Sequence, residues 1–255
     1  MKKIVFPEGD NELVRQAADE LSARRICEPV LLDGSEESLQ QAVEMVRDGA
    51  VEACVAGIDL PSRAVILPAR DIVGMTGKTF SSLMLMEFPD GRKVILSDAA
   101  TCKNPTAQQL ADISILASDA AAKIFGSAKT ALLSFSTFGS GGHDDSIDKI
   151  RETIKLVRAA RPNLIIDGEM QLDAAVNQRI GHKKAPDSEV AGEANVLICP
   201  DINSANILYK SFEQFAGAKA YGPILLGFKK PISDLSRGST SEDIVGTAET
   251  LLKLI

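Results

Sequence analysis

Short apolar runs alternate with segments of helical periodicity from the first residues of this chain onward. That alternation restricts it to an α/β fold built largely from parallel strands, because parallel neighbours need a helical crossover. Lys3 to Phe6 is an apolar run that stops at Pro7-Glu8-Gly9-Asp10, and Leu13, Ala17 and Leu21 then recur at helical spacing through Arg25. Pro29 to Leu32 and Val51 to Gly57 repeat the strand pattern, while Glu37 to Arg47 and Pro61 to Val73 repeat the helical one.

The rhythm changes once. Thr79 to Phe88 and Lys93 to Ser97 flank Pro89-Asp90-Gly91, a turn between two β-rich runs, which predicts a hairpin and places a domain boundary near residue 77. Alternation then resumes with helix Thr106 to Phe125, strand Thr130 to Phe135, helix Ser146 to Ala160, strand Leu164 to Ile166 and helix Met170 to Ala175. Strand Val196 to Cys199, helix Ser204 to Phe215, strand Gly222 to Gly227 and helix Ser241 to Leu254 complete it, with Ser140 to Asp145 and Gly181 to Pro186 as the most loop-like stretches. The last strand and helix are expected to return to the N-terminal domain. The predicted architecture is two α/β domains with largely parallel sheets and an interdomain cleft, residues 1–77 plus 225–255 forming the first and 78–224 the second.

Of 255 residues, 45% are hydrophobic and 25% charged, the balance of a globular protein with a real core. Lysine and arginine number 28 against 35 acidic residues, a net charge of −7 that disfavours nucleic acid or a membrane surface as partner. Any anionic ligand must therefore be held by a local cluster of cations. Cys27, Cys54, Cys102 and Cys199 stand singly, without disulfide or zinc spacing, and read as reduced cytoplasmic residues. Met1-Lys2-Lys3 leads straight into the first strand, too short for a secretory h-region, and no apolar run approaches the ~18 residues of a membrane span. His143 and His182 are too far apart for a metal motif on one helix, so no metal is expected.

Four polar loops are read after apolar strands, the positions where open α/β sheets bind ligands. They are Asp98 to Thr101 with Asn104 and Thr106; Ser134 to Thr137 with Gly139 and Ser140; Asp167-Gly168-Glu169; and Pro200 to Asn203 with Asn206. Each also suits helix capping, since Ser, Thr, Asp and Asn are the preferred caps. Ser136 to Gly142 offers small residues where a phosphate could approach the backbone closely, yet it is neither a Walker loop nor a dinucleotide fingerprint. No serine sits in a nucleophile elbow. Asn203, Asn206, Tyr209 and Lys210 open a helix with amides suited to a neutral polar ligand, or Asn203 simply caps it. Near the C-terminus Ser236, Arg237 and Asp243 share a polar stretch before the last helix, where Thr240 and Asp243 equally fit a capping box.

These motifs together resemble one family. Phe6-Pro7-Glu8-Gly9, Leu133 to Thr137 with Gly139-Ser140, Asp167 to Glu169 with Asp173-Ala174-Ala175, and Ala185 to Ser188 belong to the pattern. So do Ala194 to Ile198, Pro200 to Asn203 with Asn206 and Tyr209-Lys210, Gly222 to Leu225, and Asp234 to Gly238. The pattern is similar to that of the phosphate acetyltransferase and phosphate butyryltransferase family; it covers most of the chain from about residue 78 onward and is thinner across the first 77 residues. The resemblance implies a dimeric two-domain α/β protein that interconverts acyl-CoA plus phosphate with acyl phosphate plus CoA, using no metal and no cofactor, the CoA thioester being a substrate. It implies catalytic roles for Asp243 as the acceptor of the thiol proton, Arg237 as the phosphate-binding cation and Ser236 as a hydrogen-bond donor. Ser134, Ser136, Thr137, Gly139, Ser140, Asn203, Asn206, Tyr209 and Lys210 are the implied substrate-binding residues.

The chain departs from the family in three places. Leu67-Pro68-Ala69 stands where members carry an arginine before Pro-Ala, with Arg63 one turn earlier on the same face, or Arg70, as the replacement charge; Arg63 joins the expected binding set. Ala99 stands where members often have cysteine, and a block of residues is missing between Gly34 and Val51. Acetyl is the expected acyl group and butyryl the alternative. A non-catalytic paralogue binding CoA or acyl phosphate, and an NADP-dependent decarboxylating dehydrogenase, are the readings from other classes.

Overall fold

A computed structural model describes all residues, Met1–Ile255. In chain order the elements are β1 (Lys3–Phe6), α1 (Glu12–Ala23), β2 (Glu28–Leu31), α2 (Ser38–Asp48), β3 (Ala53–Ala56) and α3 (Ser62–Pro68), which runs into a π-helical turn at Ala69–Val73. Then come β4 (Ser81–Glu87), β5 (Lys93–Ser97), α4 (Ala107–Phe125), β6 (Thr130–Leu133), α5 (Asp145–Ala160), β7 (Ile166–Met170), α6 (Leu172–Val176) and α7 (Gln178–Lys184). Last are β8 (Val196–Ile198), α8 (Ile202–Ala216), β9 (Lys219–Leu226), β10 (Ile232–Asp234) and α9 (Ser241–Lys253). The chain divides into two compact units, Met1–Lys78 with Ala220–Ile255, and Thr79–Lys219.

In the first unit the strand order is β2-β1-β3-β10-β9, all parallel except β9, which runs antiparallel to β10. β1 and β3 are buried over nearly their whole length because helices cover the sheet: α1 packs with α9, and α2 with α3 and the π turn. α1 starts where the Asn11 side chain accepts from the amides of Leu13 and Val14, and it buries Val14, Ala17, Ala18 and Leu21 at helical spacing. In the second unit the order is β4-β5-β8-β6-β7, parallel except for the β4–β5 hairpin. Here α4 and α5 pack together, and α8 lies against β4 and β5.

Three expectations need correction. Asp167-Gly168-Glu169 lies within β7 and not after it, because the polar side chains find partners on distant elements, Arg158 for Asp167 and the buried Ser136 for Glu169, that no local pattern reveals. The stretch Gly181 to Pro186, expected as loop, is largely helical through α7, which Asn177 caps by accepting from the Ile180 amide. Ile232 to Asp234 is a strand, read from sequence as part of a polar loop; its three residues pair with β3 on one side and β9 on the other.

α9 rests on β9 through Gly246. A Cβ there would lie 2.3 Å from two ring carbons of the buried Tyr221. Alanine gains about 1 kcal/mol of helix propensity but overpacks a closed site, at a cost of about 1–3 kcal/mol. With backbone and ring both fixed the clash wins, and Gly246→Ala should lower Tm by about 2–6 °C in a thermal melt.

Asp234 is 1% exposed and neither carboxylate oxygen has a hydrogen-bond partner. Burial pushes its pKa up to about 6; nearby Ser62 opposes the rise without reaching hydrogen-bond geometry, and the Glu8 carboxylate adds to it. The folded chain therefore holds this proton more tightly than the unfolded chain, whose value is about 3.9. Stability falls as pH rises from about 4 to about 6 and keeps the full penalty above that range, on the order of 2–3 kcal/mol. Asp234→Asn should melt higher than the parent at pH 7.5, with the advantage vanishing at pH 4 when the two melts are compared.

Candidate functional site

In the first unit, β1, β3 and β10 end on the same side, and the loops that leave them are tied to one another. Glu8, 7% exposed, follows β1 and reaches across to the loop after β3. Its Oε2 accepts from the amides of Gly57 at 2.7 Å and Ile58 at 3.3 Å, and its Oε1 from those of Asp59 at 2.7 Å and Leu60 at 3.2 Å. Four N–H donors on one carboxylate make its burial tolerable and fix the turn that leads into α3. Arg63 stands in the first turn of α3, exposed and without a protein partner, whereas Arg70 is taken up by Asp71 at 2.8 Å. Leu67, half-buried, lies one turn beyond Arg63.

The loop from β10 to α9 holds the catalytic candidates. Thr240 and Asp243 form a reciprocal capping box: Asp243 Oδ2 accepts from the Thr240 amide and from its hydroxyl, both at 2.8 Å, while Thr240 Oγ1 accepts from the Asp243 amide at 3.2 Å. The capping role read from sequence is thus present, and Asp243 Oδ1 is left without a protein partner. Ser236 is half-buried and its hydroxyl oxygen accepts from the Gly238 amide at 3.4 Å. Arg237 is exposed, with no ion-pair or hydrogen-bond partner in the protein. A free guanidinium, a hydroxyl and a carboxylate oxygen therefore sit within eight residues at a helix N-terminus, where the dipole favours an anion.

In the second unit, β5, β8, β6 and β7 also end together. Asp98, 4% exposed, closes the loop after β5: its Oδ1 accepts from the amides of Ser82 at 3.1 Å and of Ala100 and Thr101 at 3.2 Å, and its Oδ2 from the Cys102 amide at 2.7 Å. The hydroxyls of Ser82 and Thr101 donate to it as well. Burial and the adjacent Asp98 raise the Cys102 thiol, against Lys149, so this cysteine is not an activated nucleophile. Lys149 Nζ donates to the Pro200 carbonyl at 2.9 Å, joining the helix after β6 to the loop after β8.

The loop after β6 differs from expectation. Every amide from Ser136 to Gly142 donates within the unit: to Ser134 Oγ, Ser140 Oγ, the Glu169 carbonyl, Glu169 Oε1, the Thr137 carbonyl, Ser136 Oγ and the Gly139 carbonyl in turn. The backbone is therefore not free to cradle a phosphate. Ser136, expected among the binding residues, is fully buried; its hydroxyl donates to Glu169 at 2.9 Å and accepts from the Gly141 amide at 2.9 Å. Thr137 is buried, Oγ1 accepting from the Gln171 amide at 3.0 Å. What this loop presents outward are the hydroxyls of Ser134 and Ser140.

Glu169 anchors the loop from β7 at 1% exposure. Burial would raise its carboxyl, but the Arg151 guanidinium, the Gly139 amide and the Ser136 hydroxyl outweigh that and hold it below the usual carboxylate range. Arg151 and Lys149 were missed in reading the sequence. Two cations in the second turn of a helix that follows a candidate ligand-binding loop were the signal that could have found them.

At the ends of β6 and β8, Ser134, Phe135, Pro200, Ser204 and Ile207 line a hollow of about 330 Å³, and Asn206 and Lys210 line an adjoining one along α8. The N-cap of α8 is Asp201, which leaves Asn203 and Asn206 exposed and unpartnered. Tyr209 is buried under the Lys210 ammonium, 4.6 Å from its ring centroid, and Lys210 also pairs with Glu213 at 2.9 Å. No three His, Cys, Asp or Glu side chains converge as a metal cage, and no helix is long and apolar enough to cross a membrane.

Comparison with known proteins bears on these loops. A family profile described as phosphate acetyl/butaryl transferase matches residues 34–250. The phosphate acetyltransferase of Clostridium acetobutylicum is 42% identical over 217 residues, covering 82% of this chain and 65% of that protein. The phosphate acetyltransferase of Treponema pallidum is 41% identical, covering 85% of this chain and 67% of that protein, and that of Nitrosomonas europaea 38% identical, with 36% of its length matched. The chain thus spans from about a third to two thirds of these relatives. The crystal structure of a phosphotransacetylase from Streptococcus pyogenes superposes with a TM-score of 0.88 at 31% identity, covering 99% of this chain and 93% of that one. With the profile running from the first unit through the second and back to the loop carrying Ser236, Arg237 and Asp243, the chain belongs to the phosphate acetyl/butaryl transferase family.

Proposed function

We propose that this protein is a phosphate acyltransferase, acting on acetyl-CoA, that interconverts acyl-CoA plus phosphate with acyl phosphate plus CoA. The observation that carries this reading is Arg237: a guanidinium without a protein partner, beside Ser236 and the free Oδ1 of Asp243, in a family member whose net charge is −7. A phosphate oxygen attacks the thioester carbonyl carbon, the C–S bond breaks, and CoA leaves as its thiolate. Arg237 binds the phosphate through its planar fork and faces the charge that develops on the tetrahedral carbon's oxygen, with Ser236 as a second donor. In the direction that acylates CoA, Asp243 accepts the thiol proton and makes the sulfur a nucleophile; in the other it returns that proton. Ser134, Ser140, Asn203, Asn206 and Lys210 contribute to binding the CoA and phosphate, with Thr137, Gly139 and Tyr209 shaping their surroundings, and Arg63 takes the place of the arginine that relatives carry at Leu67. The reading extends to a cytoplasmic homodimer that needs no metal.

A second reading is favoured by Leu67 itself: a paralogue that binds CoA or acyl phosphate without turnover. Calorimetry showing CoA binding together with no product from acetyl-, propionyl- or butyryl-CoA would select it.

The purified protein should release CoA from acetyl-CoA only when phosphate is supplied, in a thiol-titration assay. Arg237→Ala should lower kcat/KM by about 10²- to 10³-fold, the usual cost of one transition-state donor, and Arg237→Lys should fail to restore it. Full activity in Arg237→Ala would remove this arginine from the reaction.

A further inference from the structure

The one buried carboxylate of the second unit that carries a full ion pair is Glu169, and the proposed reaction leaves it without a task. Its oxygens divide the work. Oε1 accepts from Ser136 Oγ at 2.9 Å, from the Gly139 amide at 2.7 Å and from Arg151 Nη2 at 3.2 Å; Oε2 accepts from Arg151 Nε at 3.0 Å. The Glu169 carbonyl accepts from the Phe138 amide at 3.0 Å, so one residue of β7 grips the loop at three residues, Ser136, Phe138 and Gly139. The grip is relayed along the loop, because Ser136 Oγ in turn accepts from the Gly141 amide. Phe138 and Gly139 both hold positive φ, 44° and 92°, a conformation that a non-glycine residue such as Phe138 keeps only when its surroundings impose it.

Arg151 is fixed by the same carboxylate and remains half in solvent, its side chain 43% exposed. Nε and Nη2 are spent on Glu169, while Nη1 has no protein partner. Nη2 lies 3.6 Å from where a Cβ on Gly139 would be, so the guanidinium lies beside the turn and a larger residue at 139 would crowd it. Since the loop's amides are all occupied and Phe138 at its turn is uncharged, Arg151 is the cation that this loop has to offer.

We propose that Glu169 is a positioning residue that holds the Ser136–Gly142 loop in its ligand-binding shape, and that Arg151, aimed by the same carboxylate, binds a phosphate group through Nη1. This rests on the acyltransferase reading for the identity of the phosphate, which belongs either to inorganic phosphate or to the nucleotide end of CoA. The balance of the reaction is unchanged, for neither residue exchanges a proton or a bond.

Two measurements test it. In amide hydrogen exchange, Glu169→Ala and Ser136→Ala should speed exchange at Gly139 and Gly141 by at least tenfold while the amides of β6 and α5 stay protected; this readout needs no activity. In kinetics, Arg151→Ala should raise a KM about tenfold with kcat within twofold, and Arg151→Lys should recover part of the loss. A rise in the KM of phosphate puts inorganic phosphate at Arg151. A rise in the KM of acetyl-CoA, absent when acetyl-pantetheine replaces it, puts the nucleotide phosphates there. Glu169→Gln retains an oxygen for Ser136 and Gly139 but turns an amide toward Arg151, and should reproduce the Arg151→Ala kinetics with near-native loop exchange.

Unchanged exchange in both Glu169→Ala and Ser136→Ala overturns the positioning role; should Glu169→Ala fail to fold, Ser136→Ala decides. Arg151→Ala with both KM values within twofold overturns the binding role. If the parent protein has no acyl transfer, the acyltransferase reading falls, and phosphate titration followed by calorimetry on parent and Arg151→Ala decides the binding role.

Discussion

Buried carboxylates that accept backbone N–H groups are what the strand-end loops of this protein depend on. Glu8, Asp98 and Glu169 each sit at or beside the C-terminal end of a strand with less than a tenth of their surface exposed; Glu8 and Glu169 gather donors from a neighbouring loop, and Asp98 from its own loop and from β4. An ion of that kind is expensive to bury, and several N–H donors offset the loss of water better than a single partner does. The same bonds remove the loops' freedom. Short polar segments with few apolar contacts of their own thereby acquire one conformation, which a site must have before it binds anything. Asp234 is the exception in the set, a buried carboxyl with no donors, and it is accordingly the one driven toward its neutral form.

The way each unit exposes its unspent groups follows from this division of labour. Side chains facing the interior spend every donor on shaping the loop, as Ser136 does, while Ser134 accepts from the Ser136 amide but keeps its own O–H unspent, and Arg237 and Arg63 have no protein partner at all. A chain with net charge −7 ties most of its arginines to acidic neighbours, among them Arg24, Arg47, Arg70, Arg92 and Arg161. Against that background a guanidinium with no partner is a departure with electrostatic consequences, because it is not already neutralised when an anion arrives.

Much of the fold was legible in the sequence because it rests on local chemistry. The apolar runs of β1, β3, β6 and β8, the periodic faces of α1 and α9, the hairpin turn at Pro89-Asp90-Gly91 and the capping box of α9 are all properties of neighbouring residues. What was not legible depends on distant partners. β10 has three residues and is a strand only because β3 and β9 flank it. Asp167 and Glu169 read as loop residues, since their acceptance into β7 requires Arg158 and Arg151 from α5. The N-cap of α8 proved to be Asp201 and not Asn203, a difference of two residues that frees an amide. For the candidate site the residue types were visible and their allocation was not: nothing local distinguishes Ser134, which faces a hollow, from Ser136, which is sealed beneath the loop.

The placement of β10 also sets an order of assembly. The sheet of the first unit has a strand from the C-terminal segment inserted between β3 and β9, while the second unit is drawn entirely from the intervening Thr79–Lys219. A ribosome therefore delivers the second unit whole while β3 still has an unpaired edge, and that edge stays open until residues 232–234 emerge. Unsatisfied strand edges are templates for aberrant pairing, so the interval between synthesis of β3 and synthesis of β10 is when the nascent chain is most exposed to misassembly.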